Sequence, residues 1–231
     1  MDNHNPKTLE PAELPAGAFS VWLRQLRNVL RQDSGAEVPC GACNVCCRSS
    51  YFIHIRPAEQ DTLAHIPKGL LFAAPFQPQG NVVMGYDQSG CCPMLADNQC
   101  SIYRHRPQTC RNYDCRIFAA TGMSAGDASK ALITRQAGRW RFSYPTPDDR
   151  AEQRAVQVAA GFLTEQATAF PMGTIPGNET QLAIMAIKVY PVFLTYGQAD
   201  CGMAELAPAE MARRVLEELE RFEAAGKSPR L

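Results

Sequence analysis

The sequence lacks most of what would place it in a familiar functional class. Its 23 Lys and Arg are matched by 23 Asp and Glu, so no bulk attraction to nucleic acid or to a membrane surface is expected. No apolar run reaches the roughly 20 residues that span a bilayer. The most apolar segment, residues 182–194, is broken by Lys188 and Pro191. Residues 1–17 show no basic start followed by an apolar run, so no secretory leader is expected. There is no G-x-S-x-G elbow, no phosphate-binding loop and no G-x-G-x-x-G, which removes the motif-bearing hydrolase, nucleoside-triphosphate and dinucleotide classes. Internal repeats and low-complexity tracts are also missing. The expectation is a cytoplasmic protein in a bacterium-like setting, with neither nucleic acid nor membrane as partner and with room for a protein partner or substrate.

What the chain has is cysteine. Nine of its ten cysteines fall between Cys40 and Cys115. Cys40, Cys43, Cys46 and Cys47 are spaced C-x-x-C-x-x-C-C, and Cys91, Cys92, Cys100, Cys110 and Cys115 follow. Clustered cysteines in a reducing compartment point to metal binding or catalysis rather than to disulfides. A zinc site needs several sulfurs within about 2.3 Å of one ion, and C-x-x-C lets two converge from one tight turn with little loop-closure entropy. An all-sulfur shell selects zinc or an iron–sulfur cluster over magnesium or calcium. Adjacent Cys46 and Cys47 cannot easily face one ion from the same turn. They serve different centres, or one is a ligand and the other packs. The count allows two four-sulfur sites, or one site with spare thiols.

Arg48, Arg104, Arg106, Arg111 and Arg116 accompany these cysteines. A four-thiolate site is anionic, and guanidinium groups nearby offset its charge and donate to its sulfurs. Arg106 and Arg111 are the candidates for touching the cofactor, and one or two of the arginines could instead hold an anionic substrate. His54, His65 and His105 are further candidate ligands, of which at most one is expected to matter. Cys201 reads as a small buried hydrophobe, and Trp140 reads as core.

The local patterns predict an α+β protein. Phe19, Trp22, Leu23, Leu26, Val29 and Leu30 share one helical face, with Arg24, Arg27 and Arg31 away from it. Tyr51–Ile55 and Val82–Tyr86 read as strands, residues 58–64 as a short helix and residues 66–80 as loop. Pro107 prevents one uninterrupted helix over residues 101–120. Residues 131–135 fit either a strand or the end of a helix. Trp140–Tyr144 alternates as a strand. Three helices follow, starting near Pro147, after Asn178 with Gln181 in a capping-box arrangement, and at Pro208. The predicted division is a mobile tail over residues 1–16, a loop-rich, metal-held cysteine domain over 17–122 and a mainly helical part over 123–231, the last two able to pack as one unit.

C-x-x-C-x-x-C-C, then C-P-x-L at Cys92, then C-x-I-Y-x-x-R-P-x-x-C-R-x-Y-x-C from Cys100 to Cys115 resembles the YkgJ-type cysteine-cluster (CxxCxxCC) family, described as a zinc- or iron-chelating domain. The resemblance implies the ligand set Cys40, Cys43, Cys46, Cys47, Cys92, Cys100, Cys110 and Cys115. Ile102, Tyr103, Arg106, Pro107, Arg111 and Tyr113 would be scaffold. Cys91 is an extra thiol, and Asp114 stands where proline is expected. The same cysteine pattern occurs in flagellin lysine N-methylases, which implies an iron–sulfur cluster and S-adenosylmethionine as one use. Three readings follow: an iron–sulfur or zinc protein whose centre is structural, a carrier or a sensor; an iron–sulfur enzyme modifying a protein or small molecule; and a zinc-stapled adaptor. The family association inclines the metal towards iron–sulfur.

Overall fold

The computed structural model describes residues 12–194 and 206–226. His4 and Cys201 lie outside them. Strand β1 (Leu14–Ala18) leads directly into helix α1 (Phe19–Gln32). The cysteine-rich stretch holds β2 (Ile53–Ile55), α2 (Gln60–Ala64), β3 (Leu71–Ala73), β4 (Val82–Met84), β5 (Leu95–Ala96), β6 (Gln99–Cys100), α3 (Gln108–Asn112) and α4 (Arg116–Thr121). Then come α5 (Ala131–Ala137), β7 (Trp140–Ser143), α6 (Pro147–Glu165), α7 (Glu179–Val189) and α8 (Pro208–Gly226). Small sheets and a helical C-terminal part make this α+β, as the sequence predicts.

Two apolar cores form. The main one packs Phe19, Trp22, Leu23 and Leu26 of α1 against Ile117 and Phe118 of α4, the alanine stripe Ala155, Ala159 and Ala160 of α6, Ala183 and Ala186 of α7, and Val215 of α8. Phe142 of β7 sits 5.0 Å from the Phe19 ring and 4.8 Å from the Trp22 ring. This core draws on both sides of residue 122, so α1 and α4 pack into the helical part rather than forming the cysteine domain's own interior. The second core is small: Ile55, Ile66, Met84 and Ile102 are its buried members, with Cys92 and Cys100 packed against it. It underlies the sheet β2-β4-β3, which is antiparallel throughout and pairs Ile53 with Met84 and Met84 with Leu71.

Two expectations need correcting, and one open choice is resolved. Residues 14–16 are strand and not tail, because β1 pairs in parallel with β7 and Ala16 is buried. Pro15 is compatible with this two-stranded ribbon, where every strand is an edge. The stretch 66–80 is not all loop: a 3₁₀ turn at Lys68–Leu70 feeds β3, whose partner β4 stabilises a strand its own prolines and glycines conceal. Residues 131–135 are helical, within α5. Arg27, away from the densest part of the α1 stripe, is nonetheless buried, and its guanidinium donates to the Ile187 carbonyl at 2.7 Å and the Lys188 carbonyl at 2.9 Å, closing the C-terminal end of α7. No helix among the described residues is long and apolar enough to cross a membrane.

Candidate metal centre

The first cysteine cluster is a chain of tight turns. The Cys43 amide donates to the Cys40 carbonyl at 2.9 Å, and the Cys47 amide to the Asn44 carbonyl at 2.9 Å. Cys46 and Cys47 lie on a 3₁₀ turn, Val45–Arg48. The second cluster is fastened to this turn by main chain. The Cys92 amide donates to the Cys47 carbonyl at 2.7 Å and the Ser50 amide to the Gly90 carbonyl at 3.0 Å. Gly90 has φ of +76°, and a Cβ there would come within 2.4 Å of Ser50 Oγ, so this crossing requires glycine. Asp87 shapes the loop ahead of it by accepting from the Ser89 and Cys91 amides.

Strands β5 and β6 form a hairpin that sets Cys100 opposite Leu95. Its two turn residues, Asp97 and Asn98, both have positive φ, the conformation a two-residue hairpin of this twist demands. The hairpin tip reaches the first cluster: Asn44 Nδ2 donates to the Asn98 carbonyl at 2.9 Å, and Arg48 donates to Asn98 Oδ1.

The thiols sort into two electrostatic neighbourhoods. Cys40, Cys43 and Cys115 lie beside one another and beside Asp114 and Arg116. Cys47, Cys92, Cys100 and Cys110 form the other set, with Arg106 nearby. Cys46 faces both, as a neighbour of Cys40 on one side and of Cys47, Cys92 and Cys110 on the other. Burial pushes the Cys40 thiol up to about 11 and the Cys110 and Cys115 thiols up to about 12. The Cys47 thiol donates to the Cys46 sulfur, which holds Cys46 below the ordinary thiol range and Cys47 above it. All nine described cysteines are free. Among the described residues no three sulfurs come within 4.8 Å of one another.

Two residues outside the motif hold this site to the main core. The indole of Trp140 donates to Cys115 Sγ at 3.2 Å, favouring the thiolate there. Asp114 is 5% exposed and accepts from Trp22 Nε1 at 2.8 Å, from the Arg116 amide at 2.9 Å and from the Arg116 guanidinium. Trp140 is core, as read from the sequence, but its sulfur contact has no local signal. The arginines divide. Arg111 is spent on the Arg106 and Arg104 carbonyls, at 2.9 and 3.2 Å. Arg106 lies over the Tyr103 ring and lowers the thiol values of Cys46 and Cys110. His54 bonds Asn81 on the sheet, apart from the other histidines. Cys91 sits in the Asp87 turn as a neighbour of Cys92.

The geometry gathers free thiols from two distant stretches of chain. Residues 39–131 match the CxxCxxCC family model, "Putative zinc- or iron-chelating domain". The match covers the resemblance read from the motifs and extends it through α4 to the start of α5. No curated protein and no solved structure matches the chain. The matched span includes both thiol neighbourhoods, Asp114 and Arg106, while Trp22 and Trp140 lie outside it.

Proposed function

We propose that this protein is an iron–sulfur protein with two four-cysteine centres, Cys40, Cys43, Cys46 and Cys115 at one and Cys47, Cys92, Cys100 and Cys110 at the other. Cys46 borders both groups, and it is assigned to the first because Cys40, Cys43 and Cys115 offer three sulfurs and Cys47, Cys92, Cys100 and Cys110 already number four. Soft thiolates in this number suit zinc and iron–sulfur alike. The observation that carries the reading is the gathering of the thiols into two groups, and iron–sulfur is preferred to zinc on the cysteine pattern alone. Arg106 and Arg116 offset the anionic charge, each beside one group of thiols.

The centres also hold the domain together. A core of four buried side chains cannot order the cysteine-rich stretch by itself, and metal binding supplies the missing folding free energy. The reading is a structural and carrier role; it assigns no reaction.

Anaerobic purification with a visible spectrum and analysis of iron, acid-labile sulfide and zinc on one sample tests it. A brown protein with iron and sulfide is expected, with Cys43→Ser and Cys92→Ser each removing part of the absorbance. A colourless protein with stoichiometric zinc would overturn the iron–sulfur assignment and favour a zinc-stapled adaptor.

A further inference from the structure

One wall of the helical part is incomplete in its polar contacts. Arg24, Arg27, Asn28 and Arg31 stand at three- and four-residue steps along α1, so they share one face of that helix. With Glu152 of α6 and Tyr190, just past the end of α7, they line a cavity of about 180 Å³. No cysteine lines it. The volume lies below the roughly 300–1,000 Å³ of sites for drug-sized ligands, so the cavity suits an ion or a very small molecule.

Two members of the wall are already engaged. Arg27 donates to the Ile187 and Lys188 carbonyls, lies 3.8 Å from Glu218 and sits over the Tyr190 and Phe222 rings. Tyr190 donates its hydroxyl to Glu152 Oε1 at 3.2 Å. The others are not engaged. Arg31 Nε is buried without an acceptor, and Glu152 Oε2 is buried without a donor. Arg24 is exposed and makes no hydrogen bond or ion pair with a described residue. A buried donor and a buried acceptor left unmet on one wall are costly on both sides.

These groups specify what would complete them. The molecule must accept from a guanidinium and donate to a carboxylate. Arg24 and Arg31, both without a carboxylate partner, outweigh the single Glu152, so the molecule is an anion. Guanidinium forks match the oxygens of phosphate. Glu152 Oε2 can take the hydrogen that inorganic phosphate keeps at neutral pH and sulfate does not. The terminal torsion of a glutamate is soft, so this oxygen turns towards the cavity at little cost. Water could bridge the same groups, but a water-filled cavity would neither saturate with phosphate nor tell it from sulfate.

We propose that this cavity binds hydrogen phosphate, held by Arg24 and Arg31, selected over sulfate by Glu152, and distinct from the cysteine centres.

The test uses the full chain with its thiol centres loaded, at neutral pH and at an ionic strength held constant with chloride. Inorganic phosphate and, separately, sulfate are titrated by calorimetry. The wild type is expected to bind one equivalent of phosphate, with sulfate weaker by roughly 10-fold or more. Arg24→Gln and Arg31→Gln should each weaken phosphate roughly 10–100-fold. Glu152→Gln should abolish the preference, because an amide can donate to sulfate as well as accept from phosphate. Absence of saturable phosphate binding, equal binding of sulfate by the wild type, or unchanged affinity in Arg24→Gln would overturn the proposal. Arg24 is exposed, so its variant tests the site without disturbing the core. The anion titration reads the same whichever metal the thiols hold, so its failure and that of the iron–sulfur reading are separate results.

Discussion

Asp114 is the residue whose removal best tests how the cysteine domain is attached. Its carboxylate is 2% exposed at the side chain and pairs with Arg116, 9% exposed, at 2.8 Å. It also accepts from the Trp22 indole, 92 positions away. Asp114→Ala would leave the Arg116 guanidinium buried without its counter-charge, keeping only the Glu37 carbonyl at 2.9 Å and the Ala16 carbonyl at 3.3 Å. Breaking one side of a buried pair costs about 3–5 kcal/mol, and the orphaned Trp22 N–H falls within that figure. For a chain of this size the loss corresponds to a melting point lowered by roughly 6–20 °C. Asp114→Asn, which keeps an acceptor for Trp22, should lose less. Removing both charges in Asp114→Ala/Arg116→Met should cost less than the two single changes together, with a coupling of about 1–3 kcal/mol. Urea unfolding of reduced protein, metal-free and metal-loaded, measures all four, and the loss should be present in both states because the contacts involve no metal. A loss below about 1 kcal/mol for Asp114→Ala, the value of an exposed pair, would refute the argument that this carboxylate holds the domain to the core.

Two further predictions concern the thiols. Burial raises the Cys40 thiol from 9.0 to about 11 and the Cys115 thiol from 9.0 to about 12, so the folded chain favours their neutral forms. Metal-free, reduced protein should keep that contribution below pH 9 and lose it progressively as pH rises towards 11–12, whereas metal affinity should climb with pH because each ligand must shed a proton; a pH-independent affinity between neutral and mildly acid solution would count against thiolate ligation. Trp140→Phe removes the 3.2 Å indole bond to Cys115 Sγ, and chelator competition should show metal binding weakened by roughly 10–100-fold; unchanged affinity would mean that Cys115 is not a ligand.

The sequence made the local half of this molecule readable. The apolar face from Phe19 to Leu30 became α1, and Trp140–Ser143 became β7. Asn178 caps α7 by accepting from the Gln181 amide at 2.9 Å. Period, prolines and caps act over a few residues, so a single chain displays them. What stayed hidden was set by distant partners. Strand β1 exists because β7 lies alongside it, and β3 because β4 does. The cysteine spacing showed that the thiols cluster, but how the two stretches meet depends on hairpin β5–β6 and on the Cys92 amide reaching the Cys47 carbonyl. Asp114 looked like a lapse from the motif because its reason, the Trp22 indole, lies on another element.

That lapse explains how the two halves of the fold are joined. A proline at position 114 could pack beside Cys115 but could not receive the Trp22 indole or face Arg116. The aspartate lets one short segment, Asp114–Arg116, serve both cores. Cys115 points its sulfur at the thiols of the first cluster and at Trp140, Asp114 grips α1, and Arg116 reaches the carbonyls of Ala16 and Glu37 on either side of that helix. Loss of metal at the first group of thiols would therefore be felt at Trp140 and Trp22, which flank the segment in the main core. Tryptophan fluorescence should report loading of the Cys40–Cys43–Cys115 neighbourhood, and should do so in a Cys92→Ser protein whose other centre is disrupted.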